Sequence, residues 1–206
     1  MRKREANKEK KQTAILAAAL GVFGGKGYAA AKIIDIARAA EVGKGTIYEY
    51  YRSKEDLFFA VFEWYAAQLA KDSTVDAACL GGDPAQRMKN LLSSVFTAFH
   101  KQIDTFSVFL EFWAAAGNPD MRDRYRSALL SMYDTFRILI VDLLEEGKRS
   151  GVFRRDVDSV STAAGLVGAL DGMMLQAWMD RDFDALSASD HFFDTIITGL
   201  RRKPTD

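Results

Sequence analysis

The stretch that decides the fold runs from Ile36 to Lys54, with the sequence IARAAEVGKGTIYEYYRSK. A helix with one buried face is predicted at its start. Four apolar residues have the i, i+3, i+4, i+7 spacing of such a helix: Ile33, Ile36, Ala37 and Ala40. This helix is predicted to stop at Glu41-Val42-Gly43, where Gly43 serves as the N-cap of a helix that begins at once. The stretch therefore predicts two short helices joined at a tight corner.

The second of these helices has one apolar and one outward face. Ile47 and Tyr51 lie four residues apart and are predicted to point inward. At about 100° per residue the outward face is then small, hydroxylated, charged or aromatic: Lys44, Gly45, Thr46, Tyr48 and Glu49. A solvated surface helix would carry Glu/Lys pairs there instead. The pattern predicts a helix-turn-helix whose second helix enters the major groove of DNA.

These residues resemble the N-terminal DNA-binding signature of the tetracycline-repressor (TetR/AcrR) family. The resemblance extends over roughly Thr13–Leu57 and is carried by Ile15-Leu16, Ala18-Ala19, Leu20, Phe23, Gly27-Tyr28, Ile36-Ala37, Val42, Gly43–Tyr48, Tyr50-Tyr51 and Ser53–Leu57. It implies an all-α fold, with an N-terminal three-helix DNA-binding domain of the helix-turn-helix type and a larger C-terminal helical domain for ligand binding and dimerisation.

Three positions depart from the family pattern. Glu41 stands where the turn most often has Gly, and in the left-handed region a Glu costs about 1 kcal/mol or a little more. Gly43 replaces the usual Ser, so a side-chain cap is lost. Ala31-Lys32 replaces the usual pair of hydroxyl residues, and Lys32 becomes a charged candidate for a phosphate contact. The residues predicted to bind DNA are Lys32, Gly43, Lys44, Gly45, Thr46, Tyr48, Glu49, Tyr50 and Lys54.

Charge is unevenly distributed along the 206-residue chain. The totals balance at 28 basic and 28 acidic residues, but residues 1–54 hold 12 Lys/Arg and only 5 Asp/Glu. A basic N-terminal quarter on an acidic remainder is expected of a DNA-reading head joined to a regulatory body. The alternative is a basic tail without a ligand, which Arg2–Lys11 alone would fit. We therefore predict an N-terminal arm and DNA-binding domain over residues 1–54 and a ligand-binding and dimerisation domain over residues 55–206.

Cysteine usage and the N-terminus indicate a cytoplasmic protein. The single cysteine, Cys79, excludes an intramolecular disulfide and fits a reducing compartment. Met1–Lys11 is too charged for a signal peptide and is predicted to be disordered until it meets a phosphate backbone. No apolar stretch approaches the roughly 20 residues that a membrane span needs.

Helical periodicity continues along the chain, and no segment alternates like a strand. The predicted helices are Gln12–Gly24, Ile33–Ala40, one starting at Lys44, then Lys54–Lys71, Pro84–Lys101, Ile103–Ala116, Asp120–Ser150, Asp156–Asp180 and Ser187–Arg202. The glycines between Gly21 and Gly27 follow no strand and fit no phosphate-loop spacing, so we interpret them as a helix end. Residues 72–83 are predicted to form a loop.

The last two predicted helices are apolar on two sides, so both sides need to be covered. A second copy of the chain would cover the outer side, and the family resemblance also implies a four-helix dimer interface. An isologous dimer supplies the two-fold symmetry that a palindromic operator requires. The predicted interface residues are Leu166, Ala169, Leu170, Met173, Ala177, Phe193, Ile196, Ile197 and Leu200.

Aromatic residues on several helices of the body indicate a ligand pocket. Singly each fits an ordinary core, but together they exceed what packing needs, and the family commonly holds its inducer among these helices. The predicted pocket residues are Phe96, Phe99, His100, Phe106, Phe109, Phe112, Trp113, Tyr133, Phe136, Met174 and Trp178. Polar candidates beside them are Glu111, Tyr125 and Gln176. Such a pocket predicts a hydrophobic or amphipathic ligand.

No catalytic or metal-binding set is predicted. His100 and His191 have no metal-spaced partner, Cys79 has no nearby base, and no nucleophile, base and orienting group can be assembled. We expect no enzyme activity and no cofactor. The sequence predicts a homodimeric, ligand-responsive transcription factor, most simply a repressor. The alternatives are an architectural or constitutive DNA-binding dimer without an inducer, and a peripheral membrane protein that uses its basic N-terminus and first helix on anionic lipid.

Overall fold

The computed structural model describes residues 2–72 and 81–202 of the chain. Within these ranges it forms nine α-helices: α1 (Arg2–Ala30), α2 (Ile33–Ala39), α3 (Lys44–Tyr50), α4 (Lys54–Asp72), α5 (Pro84–Lys101), α6 (Phe106–Gly117), α7 (Arg122–Ser150), α8 (Ser159–Met179) and α9 (Ala185–Leu200). A 3₁₀ turn, Ile103–Thr105, precedes α6. The all-α prediction is confirmed.

The helices form two compact units. The first unit comprises Met1–Ala67 and Asp104–Ser127, and the second comprises Gln68–Ile103 and Ala128–Asp206. The first unit thus contains most of α4 and all of α6 besides the three N-terminal helices. This is a division by packing. The functional division after residue 54 stays a prediction.

The largest difference from the predicted elements concerns α1. The sequence predicted disorder over Met1–Lys11 and a helix from Gln12 to Gly24, whereas α1 begins at Arg2 and continues to Ala30. Its first turns consist of strong helix formers, with no Gly or Pro before Gly21 to stop the helix. The interruption comes later, at Gly27, whose φ of 74° is not helical. Other predicted bounds agree to within a few residues, and α5 agrees at both ends.

α1 also corrects the expectation about apolar stretches. The segment Glu5–Ala30 is long and apolar enough to cross a membrane by length and composition. In the first unit its apolar side chains Ile15, Leu16, Ala19 and Phe23 are buried, and α1 packs on α2 and α6. Core packing therefore accounts for the apolar face.

An aromatic cluster forms the centre of the first unit. Phe58 on α4 packs with its ring centroid 4.9 Å from that of Phe23 and 4.7 Å from that of Phe112. Tyr125 is fully buried beside them, and its ring lies 6.3 Å from that of Phe112. Burial raises the pKa of the Tyr125 phenol, and its hydroxyl has no hydrogen-bond partner among the described residues. Phe112 thus belongs to a packed core.

The second unit is built on mutual contacts between α5, α8 and α9. α5 begins at Pro84, and the Asp83 carboxylate caps it by accepting the Gln86 N–H at 2.8 Å. α8 has a similar cap, in which Asp158 accepts the Ser161 N–H at 2.6 Å. The predicted loop at residues 72–83, including Cys79, lies largely outside the described residues.

Candidate nucleic-acid interface

The corner between α2 and α3 has the predicted geometry. α2 ends at Ala39, and the Val42 N–H donates to the Ala37 carbonyl at 2.9 Å. Glu41 occupies the left-handed region with φ 54°, so this non-glycine residue carries the backbone strain expected from the sequence. Gly43 is the extended N-cap of α3 and makes no side-chain cap bond.

The faces of α3 are those predicted. Ile47 is fully buried and Tyr51 is 6% exposed, so both anchor the helix to the first unit. The opposite face is open to solvent, with Tyr48 47% exposed and with Lys44, Gly45 and Glu49 exposed as well. Thr46 and Tyr50 are half-buried at its edges. Which of these side chains touch DNA stays a prediction.

The exposed face of α3 carries charges that are not paired with one another. The Lys44 ammonium lies 5.9 Å from the centre of the Tyr48 ring. In the part of the chain that the structure describes, the Glu49 carboxylate forms no ion pair, and Arg52 is exposed without one. Lys32 is exposed at the start of α2, where its side chain makes no cap bond. Lys32, Lys44, Glu49 and Arg52 are therefore available to a ligand.

Lys54, a predicted phosphate contact, makes hydrogen bonds within the chain, and its contact with DNA stays a prediction. Its ammonium donates to three backbone carbonyls at the end of α1: Tyr28 at 2.8 Å, Ala31 at 3.2 Å and Ala29 at 3.3 Å. It also lies 4.4 Å from the centre of the Tyr28 ring. All three N–H groups of the ammonium are engaged, so Lys54 caps the C-terminus of α1, where a positive charge is favourable. A phosphate would have to compete with this cap.

The same end of α1 is tied to α6. The Glu111 carboxylate accepts the Tyr28 N–H at 2.9 Å. Gly27 makes this approach possible, because a Cβ there would lie 2.9 Å from the same Glu111 oxygen. Glu111, a polar candidate for the pocket, thus holds the backbone at the end of α1, the helix that packs on α2.

The predicted pocket residues fall into both units. Those in the first unit are Phe106, Phe109, Phe112 and Trp113, of which all but the half-buried Trp113 are buried. Those in the second are Phe96, Phe99, His100, Tyr133, Phe136, Met174 and Trp178. Within the second unit Phe96 is buried and its ring stacks on His100 at 6.3 Å, while the exposed Gln176 donates to the Gly172 carbonyl at 3.2 Å.

Asp171 is a half-buried polar group of the second unit that the sequence analysis missed. Its carboxylate accepts the Tyr133 hydroxyl at 2.9 Å. Burial raises the pKa of Asp171 to about 6, and the Tyr133 hydrogen bond opposes the shift. A signal was present, since Asp171 is the single charged residue of α8. Among the described residues no cluster of His, Cys, Asp and Glu comes together that would hold a metal ion.

The predicted dimer-interface residues are mostly core residues of the second unit itself. Leu166, Leu170 and Ala177 of α8 are buried, as are Phe193, Ile197 and Leu200 of α9. Ala169, Met173 and Ile196 are half-buried. In the single chain the six buried residues lie among the contacts between α5, α8 and α9, and their place in a dimer interface stays a prediction.

The solvent-exposed face of α8 consists largely of small residues, unlike its buried face. It exposes Ala164, Gly165 and Gly168, and at both glycines a Cβ would meet nothing within 4 Å. Val160 and Met179 at its ends are both 68% exposed. This outer face of α8, from Val160 to Met179, is open in the single chain.

Comparison with known proteins agrees with this geometry. Residues 15–61 match the model for bacterial regulatory proteins of the tetR family, and residues 84–198 match the model for the C-terminal part of BetI-type transcriptional repressors. The transcriptional repressor DhaR of Mycobacterium sp. strain GP1 is 27% identical over 184 residues, which cover 87% of this chain and 86% of that protein.

Solved structures share the fold. A TetR regulator from Chloroflexus aurantiacus superposes with a TM-score of 0.81 at 24% identity, covering 98% of this chain and 99% of that one. The Bacillus subtilis regulator FadR, solved in complex with stearoyl-CoA, gives a TM-score of 0.73 at 20% identity and covers 92% and 99% of the two chains. The two family models together span most of the chain, which therefore belongs to the TetR family of DNA-binding transcriptional regulators.

Proposed function

We propose that this chain is a cytoplasmic, homodimeric repressor that a hydrophobic or amphipathic small molecule releases from a palindromic operator. The observation that carries the proposal is the exposed face of α3. Ile47 and Tyr51 anchor the helix, while Lys44, Tyr48 and Glu49 are presented to solvent. A helix held in this way is suited to place side chains against base edges in the major groove.

Base contacts need supporting phosphate contacts, which fix the register on the duplex. Lys32, Lys44 and Arg52 are exposed and lie on or next to the two helices of the motif. We assign the phosphate contacts to these three residues. Lys54 is removed from that set, because its ammonium is engaged at the end of α1.

The proposed dimer uses the outer face of α8. Exposed Gly165 and Gly168 would let a second copy of the helix approach closely, with Ala164 beside them. The exposed Val160 and Met179 would add apolar contacts at the two ends of the face. Two copies related by a two-fold axis would then present two α3 helices to two half-sites.

The proposed effector site lies in the second unit. Its lining would come from the predicted pocket residues of that unit, notably Phe99, Tyr133 and Trp178, with Asp171 as the polar group. The stearoyl-CoA complex of FadR supports an acyl or otherwise amphipathic effector class. A half-buried carboxylate also favours an effector that brings a hydrogen-bond donor to Asp171.

The proposed response passes through α6. The Glu111 carboxylate on α6 accepts a hydrogen bond from the Tyr28 N–H. The Lys54 ammonium on α4 donates to the carbonyls of the same turn. A displacement of α6 or α4 would therefore pull on the end of α1, which packs on α2. Such a movement would change the spacing of the two α3 helices and weaken binding to half-sites about one helical turn apart.

The test is selection of genomic DNA fragments by the full chain, followed by binding assays with the enriched site. We expect a palindromic site bound by a dimer, and release of that site by a member of a panel of fatty acids, acyl-CoA thioesters and other lipophilic compounds that also quenches tryptophan fluorescence. Enrichment of no common sequence would contradict specific regulation. A palindrome bound tightly in the presence of every compound would favour the architectural alternative.

A further inference from the structure

A notch in the first unit lies between the end of α3 and the first turns of α4 and α7. Its described lining is aromatic and charged: Tyr50, Tyr51, Arg52, Asp56, Ala60 and Arg124. Tyr50 is the last residue of the DNA-reading helix α3, and Arg52 is one of the three residues to which we assign a phosphate contact. Arg124 comes from α7, a helix outside the helix-turn-helix. The notch therefore brings a side chain of α7 next to residues that are proposed to bind DNA.

Arg124 is held in this notch by two contacts with α4. Its guanidinium carbon lies 3.7 Å from the centre of the Phe59 ring, and its Nη1 donates to the Asp56 carboxylate at 2.8 Å. Asp56 and Phe59 are three residues apart, so they lie on the same side of α4. The next residue of α7, Tyr125, packs edge-on against Phe59 with the ring centres 5.1 Å apart. Packing as well as charge therefore places the guanidinium on the Asp56 carboxylate.

Asp56 has a structural reason to be acidic. It lies in the first turn of α4, where a negative charge is favourable, and its N–H donates to the Ser53 Oγ at 3.0 Å. The same carboxylate is unfavourable for DNA binding if it is left without a partner. Arg52 lines the same notch, is exposed and forms no ion pair within the described ranges. Without Arg124, the Asp56 carboxylate would attract the Arg52 guanidinium.

We propose that Arg124 is a positioning residue for DNA binding, which neutralises Asp56 and so leaves Arg52 free to bind a phosphate. The proposal rests on the proposed function through the phosphate contact of Arg52, and Arg124 itself touches no DNA. The side chains of the ion pair are 44% exposed at Arg124 and 34% exposed at Asp56, and exposed ion pairs contribute little to stability. Loss of Arg124 should therefore weaken DNA binding more than it destabilises the fold.

The experiment measures binding of the full chain to a fluorescent DNA duplex of mixed sequence by anisotropy, at several salt concentrations. Phosphate contacts do not depend on sequence, so the operator is not needed. The test variants are Arg124→Gln and the double variant Asp56→Asn/Arg124→Gln, and Arg52→Gln tests the phosphate contact itself.

Two controls match the changes in charge. Arg126→Gln removes the same charge from an exposed position of the same helix. Asp123→Asn/Arg124→Gln restores the net charge at another exposed carboxylate and leaves Asp56 without its partner. Thermal melting of each variant without DNA checks that the fold is kept. If Arg124→Gln melts well below the parent, Asp56→Asn decides instead: it should bind DNA at least as tightly as the parent, and weaker binding would overturn the proposal.

We expect Arg124→Gln to lower the affinity by about eightfold in 0.1 M salt and to flatten the salt dependence by about 0.9 unit of slope, the values for one phosphate contact. Arg52→Gln should have the same effect. Asp56→Asn/Arg124→Gln should bind like the parent, because no carboxylate is left to attract Arg52. Arg126→Gln should keep the slope of the parent. Asp123→Asn/Arg124→Gln should stay as weak as Arg124→Gln.

Three results would overturn the proposal. If Asp56→Asn/Arg124→Gln stays as weak as Arg124→Gln, Arg124 contacts the phosphate itself. If Arg126→Gln is weakened equally, or Asp123→Asn/Arg124→Gln binds like the parent, bulk charge explains the loss. If Arg52→Gln keeps the slope of the parent, the phosphate contact assigned under the proposed function is wrong and this inference falls with it. A flattened slope for Arg52→Gln with an unchanged one for Arg124→Gln would leave that contact standing and remove only the role of Arg124.

Discussion

Replacement of Lys54 by Met separates two roles that a lysine at the start of α4 can have. Methionine keeps the length of the side chain and removes the ammonium. If that ammonium caps α1, its loss leaves the carbonyls of Tyr28, Ala29 and Ala31 without their donor. The variant should then be less stable in the first unit.

The magnitude follows from the contacts. A hydrogen bond to a charged group contributes about 1.5–3 kcal/mol, and a cation–π contact at a partly exposed site adds about 0.5–1 kcal/mol. Two of the three hydrogen bonds of Lys54 are partly buried and one is exposed, and contributions around one ammonium are not additive. We expect Lys54→Met to lower the free energy of unfolding by about 2–4 kcal/mol, at roughly 2–4 °C of melting temperature per kcal/mol.

The assay combines urea denaturation with DNA binding at several salt concentrations. Lys32→Met is the matched control, since Lys32 is an exposed lysine of the same unit whose side chain makes no cap bond. The control should keep its stability and lose about one unit of salt dependence, as expected for one phosphate contact. The reasoning is refuted if Lys54→Met unfolds like the parent and shows the reduced salt dependence instead.

Three further predictions concern single side chains. Glu49→Ala should raise non-specific DNA affinity and relax a preference for cytosine at one position of each half-site, a discrimination of roughly 1–3 kcal/mol in operator competition assays; an unchanged preference at every position would show that Glu49 reads no base. Gly168→Glu should give folded monomers by light scattering, because a Cβ at this position meets nothing in the single chain. Leu166→Glu instead buries a charge and should unfold the second unit. A dimeric Gly168→Glu variant would exclude the outer face of α8 as the dimer interface. Asp171 has a pKa raised to about 6, so the folded chain keeps a proton that the unfolded chain releases, and the stability of the parent should fall between about pH 4 and 6 by an amount on the order of 2 kcal/mol. Asp171→Asn should remove that fall in urea denaturation, and an equal fall in the variant would assign it to other groups.

The features that the sequence predicted well are local ones. Ile47 and Tyr51 are four residues apart on one short helix, so the helical period alone determines that they share a face. The strained turn at Glu41, which has φ 54°, was expected from the family resemblance, since the family most often has Gly at that position. The helix start at Pro84 also has a local signal, in the proline itself.

The role of Lys54 was not predictable because its partners carry no sequence signal. The three acceptors are backbone carbonyls 23 to 26 residues away, and any residue type supplies a carbonyl. Glu111 is a similar case, since it accepts a backbone N–H 83 residues away. For Glu111, Gly27 is the one residue with a sequence signal, because its positive φ and missing Cβ allow the close approach.

The burial of the predicted dimer-interface residues within the single chain was not readable from the sequence, for a different reason. Periodicity establishes that Leu166, Leu170 and Ile197 lie on apolar faces, but it does not establish which element covers those faces. α5 packs against both α8 and α9 and takes that position in the single chain. The residues left outside are small ones such as Gly165 and Gly168, which have no hydrophobic signal although they permit the closest helix approach.

In the proposed response, the hydrogen bonds at the end of α1 would couple α6 to α1 with an energy suited to regulation. A single bond from the Tyr28 N–H to the Glu111 carboxylate is worth about 1.5–3 kcal/mol, and coupling between two sites in regulated proteins is typically 1–3 kcal/mol. A much stronger connection would resist the effector, and a much weaker one would not transmit its binding. Lys54 makes three hydrogen bonds to the same turn, whereas Glu111 makes one. The Lys54 cap is therefore the stronger of the two contacts. The hydrogen bond from Tyr28 to Glu111 can therefore break while Lys54 still caps α1. In the proposed response, a movement of α6 would then shift α1 without unfolding the first unit.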